Sequence, residues 1–204
     1  MIAGMRPVLQ PQALRVLLID DGAHRVRLVA EALIQQGHQV VGVLDEATRI
    51  HAAVQELAPD VVIVDAESPG RDTLEHLALL HEKAPRPVVL FADDAASQTI
   101  RAAFKAGVSA YGVPDLQPER LAAVLAVAQA RFAQDRSLRE ELNAAQLELA
   151  TRKRIERAKG LLMQEQGLSE DAAYKRLRKL AMDRGETLAA VAQRVIDAAD
   201  LLRG

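Results

Sequence analysis

Val16-Leu17-Leu18-Ile19-Asp20-Asp21 is an aliphatic run closed by two carboxylates, and its reading decides the fold of the first half of the chain. Comparable runs stand at Val40 to Leu44, Val61 to Val64, Val88 to Phe91 and Ala110 to Val113, each followed by a helical pattern such as Val26 to Gln35 or Ile100 to Ala106. Strands buried on both faces and joined by right-handed crossovers predict a five-stranded parallel α/β sheet. Ligands gather at the carboxyl ends of such strands, where Asp20, Asp21 and Asp65 converge from the first and third. Three carboxylates forced together repel one another unless a cation joins them, and a hard ion with oxygen ligands, Mg²⁺, is the natural occupant.

Past Pro118 the pattern turns helical. Neither Pro nor Gly interrupts Glu119 to Lys159. Apolar or small residues recur at Leu121, Leu125, Ala128 and Phe132, then at Leu138, Leu142, Ala145 and Leu149, both on the 4-3-4 spacing of a coiled-coil seam, with a slip near Asp135. A helix this long cannot bury its stripe within a small domain, so the expected partner is the same helix of a second copy. A single helix packed against the sheet domain is the alternative.

The last quarter is basic and helical. In Arg152 to Met163, Ile155, Ala158 and Leu162 share one face while Lys153, Arg154 and Arg157 point elsewhere. Lys159 falls at the edge of the buried stripe, where its stem can lie on apolar surface while the ammonium reaches outward. Gly160 sits mid-helix at a cost of about 1 kcal/mol against Ala, which suggests close approach by a partner helix or a phosphate. Gly167 ends that helix, and Ser169 with Glu170 and Asp171 opens the next. There Ala173, Leu177, Leu180 and Ala181 form the buried side, Lys175, Arg178 and Lys179 point away, and Tyr174 lies on the flank. A third helix from near Thr187 buries Leu188, Val191, Val195, Ile196 and Leu202. The basic face is either solvated surface or a site for phosphate neutralisation. Few acidic residues are at hand to pair with it, which favours phosphate. Tyr174 offers a ring for an unpaired base or serves as a core residue with its hydroxyl at the rim.

Composition bounds the reading. Half of the 204 residues are hydrophobic, enough for real cores, and only 2% are aromatic, so those cores must be aliphatic. Residues 151 to 204 hold 12 Lys/Arg against 8 Asp/Glu, leaving 14 against 20 for residues 1 to 150, so nucleic acid suits the rear half better than the front. Without cysteine there is neither disulfide framework nor thiolate metal site. No signal peptide or long apolar run is visible, and a cytoplasmic protein without membrane contact is expected. The expected divisions are a flexible tail 1–13, a sheet domain 14–117, a coiled-coil linker helix 118–150 and a small all-α domain 151–204. An enzyme is not expected: Asp20-Asp21-Gly22-Ala23-His24 lacks an alternating Asp-x-Asp, and neither His24 nor His38 has an identifiable nucleophile or base partner.

Two family resemblances sharpen these expectations. Across roughly Leu14 to Arg131 the chain resembles a response-regulator receiver domain, of flavodoxin-like fold. That resemblance implies that Asp20, Asp21 and Asp65 hold Mg²⁺, that Asp65 is the phospho-acceptor, that the backbone at Glu67 completes the coordination, and that Tyr111 is the switch aromatic. Two positions depart from it. Phe91 stands where a receiver has Thr or Ser, and Val113 or Pro114 where it has Lys, and none of these can donate a side-chain hydrogen bond or carry positive charge. Control through a protein partner rather than by phosphorylation is therefore expected.

Arg154-Ile155-Glu156-x-Ala158-Lys159-Gly160-x-Leu162-Met163, Ala173-Tyr174-x-x-Leu177-Arg178-x-x-Ala181-Met182 and Leu188-x-x-Val191-Ala192 resemble the ANTAR signature of RNA-binding transcription antiterminators. The resemblance implies binding of leader-mRNA stem-loops that prevents an intrinsic terminator from forming, with Arg157, Lys159, Gly160, Tyr174, Lys175, Arg178 and Lys179 as RNA-contacting residues. Asp65-x-Glu67-Ser68-Pro69-x-Arg71-Asp72 and Pro87-Val88-Val89-x-Phe91 are most similar to the NasT type, regulators of nitrate and nitrite assimilation, and more distantly to the AmiR type. The NasT type implies a nitrate-sensing protein that sequesters the regulator. The competing class is a phosphorylation-controlled response regulator acting on DNA, but no helix-turn-helix spacing is seen.

Overall fold

The computed structural model describes residues 13–21, 25–113 and 117–203. The expected tail lies outside them except for Ala13, as do His24, Pro114 and the side chains of Asp21 and Leu202. Contacts divide the chain into two units, residues 1–135 and 136–204.

In the first unit, β1 (Arg15–Asp21), β2 (Gln39–Leu44), β3 (Val61–Ala66), β4 (Val88–Ala92) and β5 (Ala110–Gly112) form one sheet in the order β2-β1-β3-β4-β5. Every pairing is parallel, with a register shift between Val16 and Leu17 on the β2 side. Helices α1 (Val26–Gln35), α2 (Ile50–Leu57), α3 (Arg71–Lys83) and α4 (Ser97–Lys105) fill the crossovers. Alternation along the strands feeds two cores. Leu17, Ile19, Val62, Val64 and Leu90 pack with Ile50 and Val54 of α2, Leu77 and Leu80 of α3 and Ala103 of α4. On the other face, Val16, Leu18, Ile63, Val89 and Phe91 meet Val29 and Leu33 of α1.

Helix α5 (Pro118–Gln166) runs 49 residues, as the absence of internal Pro predicts, and crosses position 150 without a break. Its opening turns correct the expected seam. Leu121, Leu125 and Ala128 are buried in the second core, against the sheet, because α1 alone leaves part of that face uncovered. Phe132 is half-buried. Leu138, Leu142 and Leu149 are more than half exposed, so of the expected seam only the stretch 138–149 is left uncovered.

In the second unit, α6 (Glu170–Arg184) and α7 (Leu188–Arg203) pack with the end of α5. Ile155, Ala158, Leu161 and Leu162 of α5, Ala173, Leu177 and Ala181 of α6, and Val191, Ala192, Ile196 and Ala199 of α7 make a small aliphatic core. Ser169 caps α6, its hydroxyl accepting the Ala172 N–H at 3.3 Å. Gly167 and Gly185 end α5 and α6 at φ +64° and +63°, a region that costs glycine nothing.

Candidate functional site

The acidic end of the sheet is built by β1 and β3. Register sets Asp20 beside Asp65, and Asp65 beside Phe91. Asp65 is 1% exposed, and such a buried carboxylate needs a partner. That partner is Arg25, just before α1. Its Nε donates to both Asp65 oxygens at 3.2 and 3.3 Å, its Nη2 to Oδ1 at 2.8 Å and to the Ala66 carbonyl at 3.3 Å. Its Nη1 reaches both oxygens of Asp93 at 2.8 Å. The hydrogen bond to Asp65, ahead of that to Asp93, lifts the Arg25 pKa above its already high ordinary value, against the opposing pull of burial.

The expected metal ligands are thus brought together only in part. Asp20 and Asp65 are adjacent, the side chain of Asp21 lies outside the described residues, and among those residues no cluster of three His, Asp or Glu is placed to hold a metal. The pocket fits a cation, and Arg25 supplies one; Mg²⁺ would reach Asp65, with Asp20 beside it, only after the guanidinium had moved. The Glu67 carbonyl, expected on the metal, accepts the Asp93 N–H at 3.1 Å.

Farther along the same edge, Asp94 accepts the Ala96 N–H at 2.8 Å, the Thr99 hydroxyl at 2.7 Å and the Ser68 hydroxyl at 3.3 Å. The Ala96 bond first, then those of Thr99 and Ser68, hold its pKa below the usual carboxylate value. Tyr111 donates to the Asp94 carbonyl at 2.5 Å, and burial chiefly pushes its pKa up. Phe91 is buried with an apolar ring where a hydroxyl was expected to be missing, and Val113 is 62% exposed. Arg25, Asp93 and Asp94 were not foreseen from the sequence. Their signal was a cation directly before the first helix and a second carboxylate pair just after the fourth strand.

The second unit carries the basic surface, and here the expectation of unpaired charge needs correction. Arg157 binds Asp200 at 3.0 Å and Lys175 binds Asp171 at 2.7 Å. Lys159 does not reach outward. Its side chain is 10% exposed, and its ammonium lies 2.7 Å from Glu170 and 2.9 Å from Glu156. Hydrogen bonds to Glu170, then Glu156, raise its pKa. Glu170 of α6 and Asp200 of α7 lie too far along the chain for a one-helix reading to pair with α5, whereas Glu156 beside Lys159 and Asp171 beside Lys175 are pairs within one helical turn.

Arg178 and Lys179 are exposed and form no ion pair among the described residues, and the same holds for Arg152, Lys153, Arg154 and Arg176. Tyr174 is 41% exposed beside them on α6, outside the core, and Met182 is 73% exposed. At Gly160 a Cβ would meet nothing within 4 Å, so among the described residues no other helix presses on it.

A doubly covered parallel sheet with an acidic edge, followed by a long helix and a small three-helix unit with exposed cations, is the architecture of a receiver joined to a helical output domain. The model of the response regulator receiver domain matches residues 16–126 and that of the ANTAR domain residues 143–196. The chain belongs to the response regulators that join these two domains. It is 31% identical over 183 residues to the transcriptional regulatory protein PdtaR of Mycobacterium tuberculosis (strain CDC 1551 / Oshkosh), covering 90% of this chain and 89% of that one. A protein-glutamate methylesterase/protein-glutamine glutaminase of Caulobacter vibrioides is 30% identical, but the match covers 42% of its length against 69% of this chain. The fold resembles the receiver domain of the response regulator NarL from Mycobacterium tuberculosis, with TM-score 0.51 and 24% identity over 58% of this chain and 98% of that one. Among the described residues no helix is long and apolar enough to cross a membrane.

Proposed function

We propose that this regulator binds stem-loops in leader mRNA and favours a hairpin that keeps an intrinsic terminator from forming. The observation that carries the reading is the group of exposed cations without carboxylate partners, Arg178 and Lys179 with Arg152, Lys153, Arg154 and Arg176, on two helices of the ANTAR unit. Phosphate neutralisation with counterion release is the physical use of such charge. Arg178 and Lys179 supply phosphate contacts, Tyr174 a stacking face, and Gly160 an open strip of backbone. Arg157, Lys159 and Lys175 take a lesser part, since a carboxylate already neutralises each.

Two copies joined along Leu138, Leu142, Ala145 and Leu149 would present paired tips to paired hairpins. Control through a sequestering sensor protein of the nitrate-binding type, in nitrate or nitrite assimilation, is supported by the NasT-like motif at Asp65 to Asp72 and by a receiver edge that has Phe91 for a hydroxyl. Mg²⁺, where it binds, would be held by Asp20 and Asp65 and would supply positive charge there. The test is a gel shift of the purified chain with leader transcript and with duplex promoter across a salt series. Retention of the transcript alone is expected; a preference for the duplex would overturn the proposal in favour of a DNA-acting response regulator.

A further inference from the structure

The acidic edge already contains its counter-charge. Arg25 spends three of its N–H groups on Asp65 and Asp93, closing on both oxygens of each carboxylate, and Nη2 adds the Ala66 carbonyl. Toward Asp65 this is the forked pairing, Nη2 on Oδ1 and Nε on Oδ2, in which a guanidinium binds a carboxylate most strongly, while Asp93 is held by Nη1 alone. The side chain is only 27% exposed, and its position is fixed from both sides: β3 supplies Asp65 and the end of β4 supplies Asp93. A divalent ion on Asp65 would need the same oxygens and would meet a fixed positive charge at contact distance.

We infer that Arg25 is the resident cation of the receiver pocket and competes with divalent metal for Asp65. The pocket has two exclusive states. In one, Arg25 ties the start of α1 to the ends of β3 and β4 without metal. In the other, Mg²⁺ sits against Asp65 and the guanidinium is released to solvent. The inference is independent of the RNA reading, since it concerns one carboxylate and its partner within the first unit.

Mg²⁺ titration of the full chain, followed by calorimetry and by the melting temperature of the first unit, tests it. Arg25→Gln removes the charge and keeps a polar side chain; it is expected to bind Mg²⁺ at least about tenfold more tightly than the wild type, and to gain more melting temperature from the ion. Arg25→Lys, which keeps charge without the fork, should fall between. Equal affinity in wild type and Arg25→Gln overturns the inference, as does absence of binding in both. Should neither variant fold, the wild type still decides. Its Arg25 Nε–H resonance, expected to exchange slowly without metal, should move to free-guanidinium behaviour as Mg²⁺ saturates, and an unchanged resonance at saturation, or no Mg²⁺ binding at all, overturns it.

Discussion

Lys159 and Glu170 meet across the turn between α5 and α6, with Nζ 2.7 Å from Oε1, and Glu156 closes on the same ammonium from one helical turn away. The pair shifts both partners toward their charged forms: the Lys159 pKa rises and the Glu170 pKa falls, each chiefly through their mutual hydrogen bond. Lys159 is thus a joint of the three-helix unit. An ammonium already held by two carboxylates gains less from a phosphate than an exposed, unpaired cation does.

Lys159→Ala and Arg178→Ala should therefore separate stability from binding. Lys159→Ala is expected to lower the melting temperature of the ANTAR unit by several degrees, because the stem and the tie to α6 are both lost. Arg178→Ala is exposed and should leave melting within about 0.5 kcal/mol of wild type while weakening leader RNA. Calorimetry beside filter binding reads both quantities. A Lys159 variant that melts like wild type yet loses RNA would return that residue to the interface.

Salt dependence gives a second handle on the same surface. Each phosphate contact removed should lower the slope of log affinity against log salt by about 1, so Arg178→Ala with Lys179→Ala should lower it by about 2. Arg157→Ala, which frees Asp200 while removing a cation that Asp200 already pairs, should change it less. Equal slopes for all three chains would place the phosphate contacts elsewhere.

The five strands were legible in the sequence because a doubly buried strand leaves a continuous aliphatic run, as Val61 to Val64 does, while such runs say nothing of which strands are neighbours. The ends of the long helix were legible too, through Pro118 and Gly167. What the seam pattern could not reveal was which surface covers it: Leu121 and Leu138 obey the same spacing, but only the first has a sheet beneath it. Ion pairing was hidden for a similar reason. Arg157 with Asp200 and Arg25 with Asp65 are 43 and 40 residues apart, so their partners exist only once the fold does.

Two glycines should respond to alanine in opposite directions. Gly107 lies at φ +92°, and a Cβ there would come within 2.3 Å of the His81 ring. Gly107→Ala is expected to destabilise the receiver by about 2 kcal/mol or more. Gly160 has helical backbone and open space, so Gly160→Ala should stabilise the ANTAR unit by up to about 1 kcal/mol. If Gly160→Ala melts higher and still binds leader RNA more weakly, the open backbone strip is a contact. Unchanged affinity would leave Gly160 without a role in binding.

Leu142 tests the pairing of long helices. It is 57% exposed, between Leu138 and Leu149 on one stripe, and burying each such leucine contributes roughly 1.5–3 kcal/mol. Leu142→Glu should convert a dimer into a monomer in sedimentation equilibrium, with the receiver melt unchanged. A wild-type chain that sediments as a monomer at all concentrations would remove the seam.

His38 should make the receiver sensitive to mild acid. It is 8% exposed, and its Nδ1 accepts the Leu14 N–H at 3.3 Å, a bond available only to the neutral ring on that side. Burial lowers its pKa below the ordinary 6.5, and burial likewise lowers that of His51, aided by Lys83 and His76. A histidine whose folded pKa lies below its unfolded value binds more protons when unfolded. Its stabilising contribution is therefore complete above about pH 6.5 and declines as pH falls from there through the folded pKa. His38→Asn keeps an acceptor for Leu14 and cannot titrate. Hydrogen exchange of the Val16 to Ile19 amides should accelerate between pH 6.5 and 5 in the wild type, after correction for intrinsic exchange, and less steeply in the variant, where His38 no longer titrates. Identical pH dependence in the two chains would show that the neutral His38 ring contributes nothing to holding β1.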